Sequence, residues 1–128
     1  MNTIKGVYRE VIEKSEWVAI ATSGPDGPHL AACWVRNLLP LSESGEEIHI
    51  PAWRFEQSEA NLKRDPRMEL LFVACDVKRA KGDGQGCTVI GTGELFTTGP
   101  KAEAIKTRFP WPRGVLVVKV TDLKTHLP

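Results

Sequence analysis

The chain has 128 residues, 41% apolar and 26% charged, with a formal net charge of +1. That is enough for one ordinary core, and one domain over residues 1–128 is expected. The balanced charge excludes nucleic-acid binding or membrane-surface attraction driven by a basic field. The first ten residues hold no long apolar run and no small-residue cleavage site, so no signal peptide, no membrane span and a cytoplasmic location are expected.

In chain order, Ile4, Val7, Tyr8, Val11 and Ile12 recur at helical spacing and predict a helix with one apolar face, capped by Asn2 or Thr3. Residues 17–22 read as a buried strand, 23–28 as a reversal rich in Gly, Pro and Asp, and 29–35 as a returning strand. A turn at 42–46 leads into a strand in which Ile48 and Ile50 alternate with Glu47 and His49. Pro51, Ala52, Trp53 and Arg54 follow as a loop. A short helix then begins at Ser58 and stops near Asp65, because the residue before Pro66 avoids the helical region. Residues 68–74 form an apolar strand, and 78–86 a basic, glycine-rich loop. Residues 88–96 form a strand whose glycines mark bending or close approach. A helix starts at 98–100 with Ala102, Ile105 and Phe109 on one face, and 114–120 is the last strand. Six strands at hairpin spacing, without a strand–helix–strand rhythm, predict a mainly-β fold: a small antiparallel barrel with short helices, the first plugging one end or packing on the wall.

The segment from Ile50 to Arg64 carries most of the chemistry. A strand, a loop with Trp53 and Arg54, and a helix start at Ser58 make an anion pocket beside an apolar wall, because the free amides and the dipole of a helix N-terminus favour phosphate. Ser58 suits the cap position, and Arg54 or Arg67 could add a charged fork. A serine that merely caps its own helix explains the pattern about as well. Of the four tryptophans, Trp17 and Trp34 lie in apolar segments and fit a core, whereas Trp53 and Trp111 sit in loops where ligand or subunit contacts are common.

Other motifs are blander. Cys33, Cys75 and Cys87 form no CxxC and no cluster with histidine at metal spacing, so reduced thiols in or beside strands are expected. The glycines of 82–86 lead into a strand rather than a helix, which argues against a dinucleotide loop. No paired carboxylates and no Ser/His/Asp arrangement stand out, so any catalysis would rest on a cofactor.

A set of short motifs runs in order along the chain: 18–22, 26–30, Trp34, Ile50 with Pro51, 59–61, Arg64 with Asp65, Arg67, 98–100, 103–105, and Arg108, Phe109 and Trp111. Each is weak alone. As an ordered set they resemble the pyridoxamine 5′-phosphate oxidase-like split-barrel flavoproteins, above all the small FMN-binding members. The resemblance implies a six-stranded antiparallel split β-barrel that forms a homodimer and holds one FMN per chain at the subunit interface. It places Cys33, Trp34 and Val35 along the flavin ring, and Pro51, Ala52, Trp53 and Arg54 beside the ring and ribityl chain. Gln57 and Ser58 would face the phosphate, with Asn61 one turn on, and Trp111 of a second copy would cover the ring.

Three departures from the small FMN-binding pattern stand out. Gln57 and Ser58 replace a basic residue and a threonine, and losing one charged hydrogen bond costs about 1.5–3 kcal/mol. Trp53 and Arg54 replace glycines, which re-shapes the groove and offers a charge from another direction. Cys33 replaces a threonine and is a poor donor. The chain also stops soon after Val120, without room for the segment that helps bind substrate in pyridoxamine phosphate oxidases, so oxidation of that substrate is not expected. The expected function is an FMN-binding electron carrier or small oxidoreductase with an unidentified redox partner. The alternative is a barrel dimer that has lost FMN and takes another phosphate-bearing or planar ligand, or a protein.

Overall fold

Alternation of apolar and polar residues builds the sheet. The computed structural model describes residues 3–128, so the cap expected of Asn2 lies outside the described residues. Six strands are formed: β1 (Trp17–Gly24), β2 (Gly27–Trp34), β3 (Glu47–Ala52), β4 (Arg67–Arg79), β5 (Gly82–Phe96) and β6 (Gly114–Thr125). Three α-helices join them: α1 (Gly6–Lys14), α2 (Glu56–Arg64) and α3 (Pro100–Arg108). The strand order is β2-β1-β4-β5-β6-β3, every pairing is antiparallel, and the sheet curls into a half-barrel. The mainly-β expectation with six strands is met.

The edge strands are β2 and β3. Pro51 is tolerated in β3 because an edge strand has one side without ladder bonds. In β4, Met68, Leu70, Phe72 and Ala74 point inward while Glu69, Leu71 and Val73 point out. The inward residues meet Val18 and Ile20 of β1, Val89 of β5, Leu116 and Val118 of β6, and Ile48 and Ile50 of β3 in one buried core. Val11 and Ile12 of α1 join this core, and the helix packs mostly on β4. α3 covers the outer face of β6, where Ala102 and Ile105 bury Val115 and Val117 as a second, smaller core. The run of apolar residues in β6 is therefore buried on both faces.

Four local expectations are corrected. α1 begins at Gly6, after Ile4, and no side chain caps it. The segment expected as a glycine-rich loop at 78–86 is mostly strand: β4 continues to Arg79, β5 begins at Gly82, and only Ala80 and Lys81 turn the chain. Arg79 donates from Nε to the Gly84 carbonyl at 2.9 Å, which holds this turn together. β3 also runs on through Pro51 and Ala52, which were expected in a loop. Trp17 and Trp34 are not core residues: they are cross-strand partners on the outer face, 55% and 47% exposed. Their segments are apolar on both faces, so alternation could not show which side faces inward.

Candidate functional site

The end of β3 sets the site. Ala52 pairs with Gly114 of β6, and the Ala52 carbonyl accepts the Arg113 amide at 2.8 Å. Beyond it Trp53 and Arg54 are exposed, with the Arg54 guanidinium 5.0 Å above the Trp53 ring. Phe55 then takes a left-handed conformation, φ 68° and ψ 30°, which is a strained choice for an aromatic residue. Arg113 over-determines it. Its Nε and Nη2 donate to the Arg54 carbonyl at 3.1 and 2.9 Å, and Nη2 also donates to Glu59 Oε1 at 3.0 Å. One guanidinium thus ties the loop to the first turns of α2.

α2 starts two residues earlier than expected. Its cap position is Phe55, no side chain caps it, and Ser58 is the third helical residue rather than the cap. The Glu59 amide bonds the Phe55 carbonyl at 2.8 Å, so the amides of Glu56, Gln57 and Ser58 precede the first helical bond. Ser58 is 1% exposed, and among the described residues its hydroxyl is the buried side-chain polar group without a hydrogen-bond partner. A serine inside a helix commonly donates to the carbonyl four residues back. Here that carbonyl belongs to Arg54 and already takes both Arg113 bonds.

The neighbours of Ser58 are committed to structure. Gln57 Nε2 donates to Asn61 Oδ1 at 2.8 Å, and Asn61 Nδ2 donates to Thr22 Oγ1 at 3.1 Å. Asn61 is fully buried, so this chain of bonds pins α2 to β1. Arg64 adds a bond to the Ser23 carbonyl. Arg67, one of two candidates for a charged fork, is taken by Asp65 through Nε at 3.0 Å and Nη2 at 2.8 Å. That fork holds the Asp65 carboxyl down to about 2. Arg54 is left as the available cation. Of the acids in the first turn, Glu59 is paired with Arg113 and lies 3.7 Å from Lys63, whereas Glu56 is exposed and opposes an anion there.

On the other edge strand, Cys33 faces inward opposite Val18, and burial pushes its thiol up to about 12. Trp34 faces out, with the Arg36 guanidinium 5.2 Å over its ring. Val35 has left the strand for a short 3-10 turn and is buried, with its amide donating to the Glu16 carbonyl at 3.0 Å and its carbonyl accepting the Leu38 amide at 2.8 Å. Pro51 and Ala52 are buried as well. Trp111, on the connection between α3 and β6, is 41% exposed and rests 5.4 Å from Phe109 at 45°.

The predicted residues therefore fall into three groups: the Pro51–Asn61 stretch, the Cys33–Val35 strand end, and Trp111. Within the first, Gln57 bonds Asn61 and the Arg54 guanidinium lies over Trp53, and no hydrogen bond, ion pair or ring contact among the described residues links one group to another. A surface concavity of about 860 Å³ lies elsewhere, at the tip of the β1–β2 hairpin between Thr22, Arg67 and Ile90. Sequence reasoning gave no site role to Arg113, Glu59, Thr22, Trp17 or Arg36, although Thr22 and Glu59 lie in the motif stretches 18–22 and 59–61. Arg113 belongs to no periodic element, and its only signal was its place between Pro112 and Gly114 in a tryptophan-bearing loop. No group of His, Cys, Asp and Glu that could hold a metal is found among the described residues.

Two outcomes follow from this geometry. Arg113→Lys keeps the charge but loses the fork, and it is expected to cost about 1–3 kcal/mol in urea unfolding and to speed amide exchange at Glu56–Ser58. Unchanged exchange there would show that the clamp is unimportant. A thiol pushed up to about 12 stays protonated from pH 7 to 9, and the thiolate is the reactive form. Iodoacetamide at pH 8, read by mass spectrometry, is expected to modify exposed Cys75 well before Cys33 or buried Cys87.

The pyridoxamine 5′-phosphate oxidase family model matches residues 4–126. The FMN-binding protein of Nitratidesulfovibrio vulgaris (strain DSM 19637 / Miyazaki F) is 36% identical over 124 residues, spanning 97% of this chain and 99% of its own. Among solved structures, HupZ of Group A Streptococcus matches with a TM-score of 0.73 at 20% identity, covering 94% of this chain and 92% of its own. An FMN-binding protein from Syntrophomonas wolfei subsp. wolfei matches with a TM-score of 0.62 at 17% identity, covering 94% and 88%. At such identities these two show a shared fold. The match along nearly the whole length, together with the relative at 36% identity, places the chain in the pyridoxamine 5′-phosphate oxidase family.

Proposed function

We propose that this chain is an FMN-binding flavoprotein that works as a homodimer, with the cofactor at the subunit interface, and serves as an electron carrier or small oxidoreductase. One observation carries the reading: a buried hydroxyl without a partner, Ser58 Oγ, beside three helical amides that precede the first helical bond of α2. Such a turn suits a phosphate, and the 36% identical relative is an FMN-binding protein. Rotation about one side-chain bond turns the Ser58 hydroxyl toward the groove, where the Gln57 and Ser58 amides and the Arg54 guanidinium complete the phosphate contacts.

FMN supplies one- and two-electron transfer when bound. The chain's own residues bind and shield it. Cys33, Trp34 and Val35 would lie along the flavin ring, and Pro51, Ala52, Trp53 and Arg54 beside the ring and ribityl chain. Asn61 acts indirectly, holding α2 in register on β1. Trp111 from a second copy covers the ring and excludes water.

The outer face supports pairing of two copies. Leu30, Trp34, Trp17, Leu71 and Val73 share the outer side of β2, β1 and β4, and they are between 37% and 70% exposed. Contiguous apolar surface of this kind marks an interaction site. A flavin-free barrel dimer binding another phosphate-bearing or planar ligand, or a protein, draws on one observation, the commitment of the neutral Gln57 amide to Asn61.

Titration of the apo protein with FMN, read by quenching of flavin fluorescence, separates the two. Sub-micromolar binding is expected, weakened about 10–100-fold in Ser58→Ala, the value of a hydrogen bond to a charged group. Trp111→Ala is expected to weaken it too. Colourless protein without micromolar FMN binding would remove the flavin reading, and unchanged affinity in Ser58→Ala would remove its phosphate site.

A further inference from the structure

A surface cavity of about 170 Å³ lies where α3 meets the edge strand β3, with the 38–42 connection as its third wall. It shares no residue with the exposed apolar outer face or with the stretches proposed to hold the flavin. Its floor is apolar: Leu38, Leu41, Ile48 and Ile105 line it and are all buried.

The charged lining is unequal. Lys101 Nζ lies 3.0 and 3.1 Å from the two carboxylate oxygens of Glu47, and His49 Nε2 lies 2.9 Å from Glu47 Oε1. The bonds from His49 and Lys101 hold the Glu47 carboxyl below its ordinary range, so it is ionised at neutral pH and cancels Lys101. Arg108 is then the surplus cation. Its Nη2 donates to the Leu39 carbonyl, and its guanidinium lies 5.0 Å from the Phe109 ring. No carboxylate pairs with it among the described residues. One carbonyl bond and one ring fix its plane, while most of its donors stay free.

We infer that this cavity binds a small monocarboxylate with an unbranched aliphatic chain of about five or six carbons. The volume sets the length, since a cavity of about 150 Å³ takes a benzene-sized molecule. The apolar floor takes the chain, which gains by leaving water. The Arg108 fork takes the head group through two parallel bonds. Glu47 lines the same cavity and opposes a doubly charged head group, which favours a carboxylate over a phosphate monoester. The inference does not rest on flavin binding.

The wild-type chain is titrated at pH 7 in a low-salt buffer free of carboxylate and phosphate, with its amides followed by NMR. Butyrate, hexanoate and octanoate test the length, and hexanamide and hexylammonium test the head group. Each methylene from butyrate to hexanoate is expected to tighten binding about two- to fourfold, with no further gain to octanoate. Hexanoate is expected to bind about fivefold more tightly than hexanamide, with hexylammonium weakest. The amides that move are expected to centre on Ile48, Lys101, Ala104 and Arg108. Ala104→Leu fills the cavity from an exposed helix position, and it is expected to remove hexanoate binding without lowering the melting temperature. Arg108→Gln is expected to make hexanoate and hexanamide equal. No binding of hexanoate at millimolar concentration would overturn the inference. So would equal affinity for hexanoate and hexanamide, or for butyrate and hexanoate, in the wild-type chain. Hexanoate binding that survives Ala104→Leu would overturn it as well.

Discussion

The Arg113 guanidinium is the fastening on which the site depends. It grips the Arg54 carbonyl and the Glu59 carboxylate together, and so holds Phe55 in a backbone conformation that an aromatic residue rarely adopts. That conformation turns the chain sharply from β3 into α2, with no side-chain cap at the helix start. The consequence is chemical. A capping residue would have satisfied an amide of the first turn, and a free Arg54 carbonyl would have satisfied Ser58. Arg113 prevents the second, and Phe55 in the cap position forgoes the first. The helix start is left with donors and no internal acceptors, which is a condition for holding an anion.

The second constraint is the behaviour of the outer face. A small sheet curled around one core has a convex side that must be solvated, covered or paired. α3 covers β6, but β1, β2 and β4 present Trp17, Leu30, Trp34, Leu71 and Val73 without cover from their own chain. An apolar convex face beside strand ends that carry indoles is what a barrel needs if its ligand is to be closed off by a second copy. The departures at Gln57, Trp53 and Cys33 fit the same frame. Gln57 gives up charge but gains a structural bond to Asn61. Trp53 brings Arg54 with it as a stacked cation. Cys33 turns inward as a protonated thiol, a packing residue more than a donor.

Much of the fold was legible because it is local. Alternation in 68–74 and in Ile48/Ile50, the Gly–Pro–Asp reversal at 23–28, and Pro100 at a helix start all act within a few residues. The start of α2 was misplaced because serine is the usual signal for a cap, and the residue that sets the true boundary, Arg113, is 58 positions beyond Phe55 in the chain. Trp17 and Trp34 were misread for another reason: in a segment apolar on both faces, the pattern does not tell inside from outside. The proposed anion site rests on a motif in the Ile50–Arg64 stretch that sequence displays, but the unsatisfied Ser58 hydroxyl was not visible there. That hydroxyl exists only because a distant arginine occupies the carbonyl it would otherwise use.

The central claim is that two copies of this half-barrel enclose one FMN each, with the phosphate at the start of α2. Sedimentation of the FMN-loaded protein, followed at a flavin wavelength, tests it most directly. The account predicts flavin absorbance moving with a species of twice the chain mass, with one flavin per chain. Flavin bound at equal affinity to a species of single-chain mass would contradict it.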